Sequence, residues 1–201
     1  MIYQLNLPKP SDKLISLVRQ AASTRSTNYA SKAWHESVQR SEINCAAGDF
    51  FAYEQVTTQS RQEYQRYFPY MLYPIVGIIE NTDITRPAAY CPHTDRVRTV
   101  GINYYIDAGG PNVTTVFYDK EDSADDEVGG NMLPYEQLTK VGEQHFNKNA
   151  WYMFGTRRFH SVENIESTRL ILTLSLFKCS PEDLTTVIKN YSTASFNYNA
   201  S

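Results

Sequence analysis

One run near the carboxyl end of the chain, RLILTLSL at residues 169–176, constrains the fold more than any other part of the sequence. Side chains alternate between the two faces of a β-strand. Arg169 and Thr173 would therefore share one face, and the opposite face would consist of leucine alone. A face of leucines must be buried under a helix or a second sheet. The run thus predicts a buried strand in a layered protein, with a guanidinium and a hydroxyl on its second face.

Several other short runs have the same β-strand character. They are rich in β-branched and aromatic residues and are separated by Gly, Pro, Asn and Asp. The runs are YMLYPIVGIIE, RTVGINYYID, VTTVFYD and NAWYMFGTRRFHSV. Short strands at such intervals are typical of a sandwich, a jelly roll or a barrel.

Three helices are expected around these strands. The first, at 11–22, has an apolar stripe and begins with Ser11, or the aspartate after it, as the capping residue. The second lies at 57–68 and has a possible capping box that starts at Ser60. A short closing helix follows Ser180. The sequence therefore predicts a mainly β fold with flanking helices.

The remaining segments show no periodic pattern. Residues 23–37 are polar and are interpreted as an irregular arm, and the tail at 191–201 has no regular alternation. We therefore divide the chain into an N-terminal helical segment that packs on the core (1–68), the β core (69–180), and a C-terminal helix with its tail (181–201).

Composition excludes several classes of function. A net charge of -3 and a pI near 5.8 give no electrostatic footprint for nucleic acid or for an anionic membrane. The longest apolar runs are too short to cross a bilayer. Cys45, Cys91 and Cys179 are an odd number with no close-spaced pair, which indicates neither a disulfide framework nor a zinc site. We expect a cytoplasmic protein with free thiols.

The most informative polar residues are His93 and Asp95, which are separated by one residue just ahead of an apolar run. Two histidines and one carboxylate can bind a mononuclear iron(II) ion and leave open positions for oxygen ligands and dioxygen. His160, late in the chain, is the candidate third ligand, whereas His35 and His145 lie in unpatterned or polar stretches and are not expected to bind. A His-x-Asp pair alone is more often structural, so the prediction depends on the joint pattern that follows.

Arg169 follows His160 by nine residues, and Thr173 lies four residues further on the same strand face. A guanidinium and a hydroxyl that point inward from one strand form a fork for a carboxylate. The sequence therefore predicts an anion-binding position near the metal ligands.

The order His93-x-Asp95, His160 and then Arg169 resembles the motif of the iron(II) and 2-oxoglutarate-dependent oxygenases, whose core is a double-stranded β-helix, a form of jelly roll. The run RTVGINYYID is similar to a strand of the prolyl 4-hydroxylase-like branch, in which a tyrosine helps to hold the far carboxylate of 2-oxoglutarate. The resemblance covers about 70–178.

By this resemblance, Arg169, Tyr105 and Thr173 would bind 2-oxoglutarate. Strand parity adds Asn103, because it shares a face with Tyr105. The implied ligands of the iron are His93, Asp95 and His160. The predicted active site therefore contains these three ligands and the four residues that would bind the cosubstrate.

The activity that the resemblance implies is that of a dioxygenase, which uses iron(II), 2-oxoglutarate and O2 to hydroxylate a C–H bond and releases succinate and CO2. The substrate would be a prolyl or other peptide side chain. Asp95 argues against the halogenase variant, in which a small residue vacates that ligand position. A hydroxylase of a small metabolite or free amino acid and a non-catalytic jelly-roll binding module are the alternatives. The oligomeric state is left open.

Two charged features have competing interpretations. The acidic run at 119–127 is interpreted as a solvated hairpin excursion, and the alternative is a lid or a docking surface for a basic substrate. Arg158 would share a face with His160 and is expected to extend to solvent, the alternative being a contact with the substrate.

Overall fold

The computed structural model describes residues 1–25, 29–68, 72–95, 98–121, 131–176 and 180–196. These ranges contain eleven strands and four helices. The strands are β1 (Ile2–Leu5), β2 (Ala47–Phe51), β3 (Tyr73–Glu80), β4 (Ala88–His93), β5 (Val100–Ala108), β6 (Thr114–Lys120), β7 (Leu138–Gln144), β8 (Trp151–Gly155), β9 (Phe159–Ile165), β10 (Arg169–Leu176) and β11 (Ser192–Phe196). The helices are α1 (Asp12–Ser23), α2 (Tyr29–Val38), α3 (Glu54–Tyr64) and α4 (Pro181–Tyr191).

The strands form two antiparallel sheets. The large sheet has the order β11-β1-β8-β5-β10-β3-β2, and the small sheet has the order β4-β9-β6-β7. From β3 to β10 the chain alternates between the sheets, except that β6 and β7 are neighbours in the small one. This alternation is that of a jelly roll. The predicted fold class, a double-stranded β-helix with flanking helices, is confirmed.

The leucine face of β10 is covered as predicted. All four of its leucines lie in one buried cluster on the helix side of the large sheet. Leu14 of α1, Val56 of α3 and Val187 of α4 belong to the same cluster. Full burial of each such side chain contributes about 1.5 to 3 kcal/mol, so this layer is a principal source of stability.

Two of the three expected helix starts are confirmed. Ser11 caps α1, because its hydroxyl accepts a hydrogen bond from the Leu14 amide at 3.2 Å. Ser180 forms a capping box at the start of α4. The capping box proposed at Ser60 is wrong: α3 begins at Glu54, and Ser60 is an interior, buried position. The Glu63 carboxylate instead accepts a hydrogen bond from the Ser11 amide at 3.0 Å, and so helps to hold the start of α1.

The N-terminal segment is more than a helical cover. Strand β2 pairs with β3, and β1 lies between β8 and β11, so both ends of the chain extend the large sheet. Helix α2 lies in the stretch 23–37 that was expected to be irregular and extends one residue beyond it. Strand β11 falls within the tail. Strands of four or five residues are too short for alternation to be recognised in a sequence.

Candidate active site

A cavity lies between the two sheets and is lined by side chains from both. Its polar lining residues are His93, Arg98, Asn103, Tyr105, Thr115, His160, Arg169 and Thr173. Phe50 of β2 and Tyr90 of β4 add aromatic surface. The cavity therefore combines residues from distant parts of the chain, including the N-terminal segment.

The three predicted ligands lie together, and His93 and His160 line one end of this cavity. His93 ends β4 and is the register partner of His160 on β9, which places the two imidazoles on neighbouring strands. Asp95 follows two residues after β4, with its Oδ1 4.0 Å from His93 Nε2. One ligand atom from each of the three residues lies within 4.8 Å of the others, so the group could hold a metal ion.

Backbone carbonyls orient both imidazole rings. His93 Nδ1 lies 2.9 Å from the carbonyl oxygen of Cys91, and His160 Nδ1 lies 2.9 Å from that of Arg158. A carbonyl only accepts, so we assign the proton of each ring to Nδ1. Each Nε2 then offers a lone pair. This arrangement is usual for histidines that bind metals.

The protonation states also suit metal binding. Burial lowers the pKa of His160 to about 4, and burial likewise lowers the pKa of His93. Burial alone would raise the pKa of the Asp95 carboxyl, but Arg98 and the two histidines outweigh it and leave that pKa below its usual value. Near neutral pH the site therefore presents two neutral imidazoles and one carboxylate.

Arg98 was not among the residues expected in the site. Its Nε donates a hydrogen bond to Asp95 Oδ2 at 2.5 Å, and its guanidinium lies 5.6 Å from the centre of the Phe50 ring. The contact holds one carboxylate oxygen of Asp95 while the other faces His93. An arginine three residues after a ligand carries no sequence signal of its own, which is why it was missed.

The opposite end of the cavity holds a buried cation. Arg169 is 2% exposed, its Nη2 donates to the Thr115 hydroxyl at 3.3 Å, and its guanidinium lies 4.6 Å from the centre of the Tyr105 ring. Among the residues that the structure describes, no carboxylate forms an ion pair with Arg169, and its Nε has no hydrogen-bond partner. A buried cation without a counter-charge is costly. This end of the cavity is therefore suited to an anion.

The remaining residues predicted for this end also line it. Thr173 donates a hydrogen bond to Asn103 Oδ1 at 2.8 Å across the β10–β5 pair. Tyr105 is buried and stacks on Phe146 at 5.0 Å. The parity of β5 is as expected, because Tyr104 packs on the helix side of the sheet instead. The structure thus brings the four residues together, while their binding of 2-oxoglutarate stays a prediction.

Among the described residues, the other singled-out side chains are not part of the ligand group, although the His35 ring lies 6.3 Å from that of His93 and the Arg158 carbonyl contacts His160. Arg158 forms an ion pair with Asp119, and most of the acidic run falls outside the described residues. His145 is exposed and hydrogen-bonds the Val113 carbonyl. His35 is fully buried in α2, with its ring 4.3 Å from that of Tyr90.

Comparisons with known proteins give structural neighbours only. No protein-family model matches the chain, and no curated protein matches it in sequence. One similar solved structure is a prolyl hydroxylase from Trichoplax adhaerens in complex with a peptide fragment of the hypoxia inducible factor oxygen degradation domain. It is 12% identical, with 88% of this chain and 80% of that chain covered and a TM-score of 0.44.

Another similar structure is a prolyl-4-hydroxylase from Pseudomonas putida. It is 14% identical, with 89% of this chain and 93% of that chain covered and a TM-score of 0.42.

Within the described ranges, no helix is long and apolar enough to span a membrane.

Proposed function

We propose that this protein is an iron(II)- and 2-oxoglutarate-dependent dioxygenase that hydroxylates a C–H bond of a prolyl or other peptide side chain. One observation carries the proposal. One cavity has His93 and His160 at one end, where they form a candidate metal-binding group with Asp95, and at the other the guanidinium of Arg169 without a described counter-charge. The first end suits a divalent cation and the second suits a carboxylate.

His93, Asp95 and His160 would hold the iron. When bound, iron(II) with 2-oxoglutarate supplies the activation of dioxygen that oxidises the substrate C–H bond. The carbonyl contacts at Nδ1 keep both imidazoles aimed at the same point. Arg98 fixes the Asp95 carboxylate through its second oxygen. The protein thus holds all three ligand atoms before any metal binds.

Arg169 would pair with the far carboxylate of 2-oxoglutarate. The Thr115 hydroxyl already lies at the guanidinium, and the Tyr105 ring covers it. Burial excludes water and strengthens a charge pair in this position. Thr173 and Asn103, which are hydrogen-bonded to each other, add polar groups along the same wall. Fixing the cosubstrate at both ends would hold it in one orientation.

Aromatic surface beside the ligands supports an aliphatic substrate group. The rings of Phe50 and Tyr90 lie 6.1 Å apart, and Tyr90 is 5.1 Å from His93. Apolar ring faces of this kind favour the saturated ring of proline over a charged group. We therefore propose a peptide with an aliphatic side chain, such as that of proline, as the substrate.

Anaerobic titration of the purified protein with iron(II) and then 2-oxoglutarate tests the proposal. The parent should develop the weak visible charge-transfer band of the chelate, and His160→Ala should not. His145→Ala is the matched control, because it removes an exposed histidine far from the ligand group, and its band should equal that of the parent. A folded, metal-replete parent without a band would contradict the proposal. Succinate release that rises with proline-containing peptides would then support the substrate class.

A further inference from the structure

Two cysteines that are distant in the sequence meet beside the candidate metal centre. The sulfur atoms of Cys45 and Cys91 are 3.4 Å apart, and both residues are free thiols. They are 1% and 0% exposed, respectively. Cys91 lies in β4, two residues before His93, and Cys45 lies just before β2. The pair therefore joins the N-terminal segment to the strand that carries a proposed metal ligand.

We propose that Cys45 and Cys91 form a redox-active modification site, in which a peroxide oxidises the pair to a disulfide and thereby weakens metal binding by His93. The first part, disulfide formation, depends only on the two thiols. The second part, the effect on the metal, rests on the proposed function.

The backbone around the pair already holds the two chains side by side. Cys45 forms an isolated parallel bridge with Ala89. The Ala46 amide donates to the Ala89 carbonyl at 2.8 Å, and the Ala89 amide donates to the Asn44 carbonyl at 2.8 Å. The sulfur atoms are in van der Waals contact, so they must approach by about 1.4 Å to reach the disulfide bond length. Side-chain rotations together with a small shift of the Cys91 backbone can supply that distance, because the two backbones are adjacent.

Either sulfur can donate to the other in their contact at 3.4 Å, and we assign the attack on peroxide to Cys45. A thiolate is the form that attacks a peroxide. An open cavity of about 300 Å³ is lined by Asn44, Ala88 and Ala89. Asn44 is the chain neighbour and Ala89 the bridge partner of Cys45, so the pair lies directly behind the wall of this cavity. Because both residues are buried, peroxide would reach them through a local opening of that wall.

The chemistry balances without any further reactant. The Cys45 thiolate attacks one oxygen of hydrogen peroxide, the O–O bond breaks, and the departing hydroxide takes up a proton to become water. This step leaves a sulfenic acid on Cys45. The Cys91 sulfur then attacks the Cys45 sulfur, the S–O bond breaks, and the hydroxyl leaves as water with the Cys91 thiol proton. Two thiols are oxidised, and one peroxide is reduced to two waters.

A hydrogen bond couples this pair to the metal ligands. The carbonyl oxygen of Cys91 orients the His93 ring through its contact with Nδ1 at 2.9 Å. A bond to Cys45 pulls Cys91 towards the N-terminal segment and shifts that carbonyl. Loss of such outer contacts to a metal-bound histidine typically costs about 10- to 100-fold in metal affinity. We expect the same loss when the disulfide forms.

The first experiment follows the sulfur chemistry in metal-free, full-length protein. Every sample carries Cys179→Ser, so that only the two cysteines of interest remain. Reduced protein is treated with hydrogen peroxide, and intact mass and denatured thiol content are measured. The parent should lose two hydrogen atoms and both thiols, and dithiothreitol should restore them. The matched Cys45→Ser variant should never show this mass loss; Cys45→Ala serves if serine disturbs the buried position.

Retention of both thiols by the parent, or addition of oxygen without loss of two hydrogens, would overturn the disulfide.

The second experiment titrates manganese(II) into reduced and oxidised protein. Oxidised protein should bind about 10- to 100-fold more weakly, with recovery after dithiothreitol and no change in peroxide-treated Cys45→Ser. Equal affinities would overturn the coupling. A reduced protein that binds no metal would contradict the proposed function and the coupling together, while the mass measurement would still decide the disulfide.

Discussion

The two faces of β10 differ in how their contacts are satisfied. On the helix side, four leucines pack against residues of α1, α3 and α4, and every apolar contact comes from the chain itself. On the cavity side, Arg169 is buried without a counter-charge among the described residues, and Thr173 faces the same space. Alternation along β10 thus places the side chains that stabilise the fold and those of the proposed ligand site on separate faces.

Leu172→Ala should give the largest effect on stability. Leu172 is completely buried under the helices, so its truncation leaves a cavity, and the free energy of unfolding should fall by about 3 to 5 kcal/mol. Urea denaturation measures this change. Ser175→Ala, on the cavity face of the same strand, is the control and should change it by less than about 1 kcal/mol. Equal losses in the two variants would show that the faces do not differ as described.

Arg169→Met should weaken ligand binding without lowering stability, the opposite of Leu172→Ala. Removing the guanidinium should weaken 2-oxoglutarate binding to the metal-loaded protein by about 2 to 5 kcal/mol, or about 30- to 5,000-fold. The free energy of unfolding without ligands should stay the same or rise, since an apolar side chain replaces an unpaired buried charge. Ligand titration and urea denaturation test both parts. A variant that is less stable yet binds normally would make Arg169 a structural residue.

Acid should destabilise the metal-free protein through its buried histidines. Burial lowers the pKa of His35 to about 3 and that of His160 to about 4, whereas an unfolded histidine has a pKa near 6.5. Below that value the unfolded chain binds protons that the native chain does not. Stability should therefore fall as the pH drops from about 6.5 towards 4, by about 1.4 kcal/mol per pH unit for each histidine.

His35→Phe isolates the contribution of His35 to that acid limb, to which His93 and His160 also contribute. It should lower the slope by about 1.4 kcal/mol per pH unit and leave 2-oxoglutarate binding at neutral pH unchanged, because an aromatic ring still packs beside Tyr90 and His93. Denaturation curves at a series of pH values measure the slope. An unaltered slope would mean that His35 titrates normally in the native protein.

Thr173→Val should have the smallest effect. The substitution removes the hydrogen bond to Asn103 and preserves the side-chain shape. That bond orients Asn103 in the cavity wall, and a hydrogen bond contributes about 1 kcal/mol, so 2-oxoglutarate affinity should fall by at most about fivefold. Thr186→Val, at an exposed position of α4, is the control. A loss as large as that of Arg169→Met would mean that Thr173 contacts the cosubstrate more directly than its hydrogen bond indicates.

Local periodicity explains what the sequence could predict. The alternation in β10 placed Arg169 and Thr173 on one face, because the opposite face consists of leucines. On β5 the resemblance selected Tyr105, and alternation then added Asn103 to the same face. The ligand hypothesis joined His93 and Asp95 to the distant His160 through the order of the motif.

Features that depend on tertiary contacts were not predictable. The start of α3 was misjudged because Glu63 is used by the N-terminus of a different helix. Arg98 belongs to the site because it contacts Asp95. It precedes β5, so strand alternation could not predict that contact. The meeting of Cys45 and Cys91 spans 46 residues. In each case the fold determines the contact partner, and the local sequence does not indicate it.

The strands that the N-terminal segment adds to the large sheet also bear on solubility. Strand β2 covers the edge of β3, while β1 with β11 covers the edge of β8. A shortened chain limited to 72–176 would present two open edges of unpaired backbone N–H and C=O groups. Such edges recruit strands from other molecules and lead to aggregation. The first 51 residues therefore replace the eight-residue β3 as a sheet edge by the five-residue β2, and a shorter edge recruits other strands less readily.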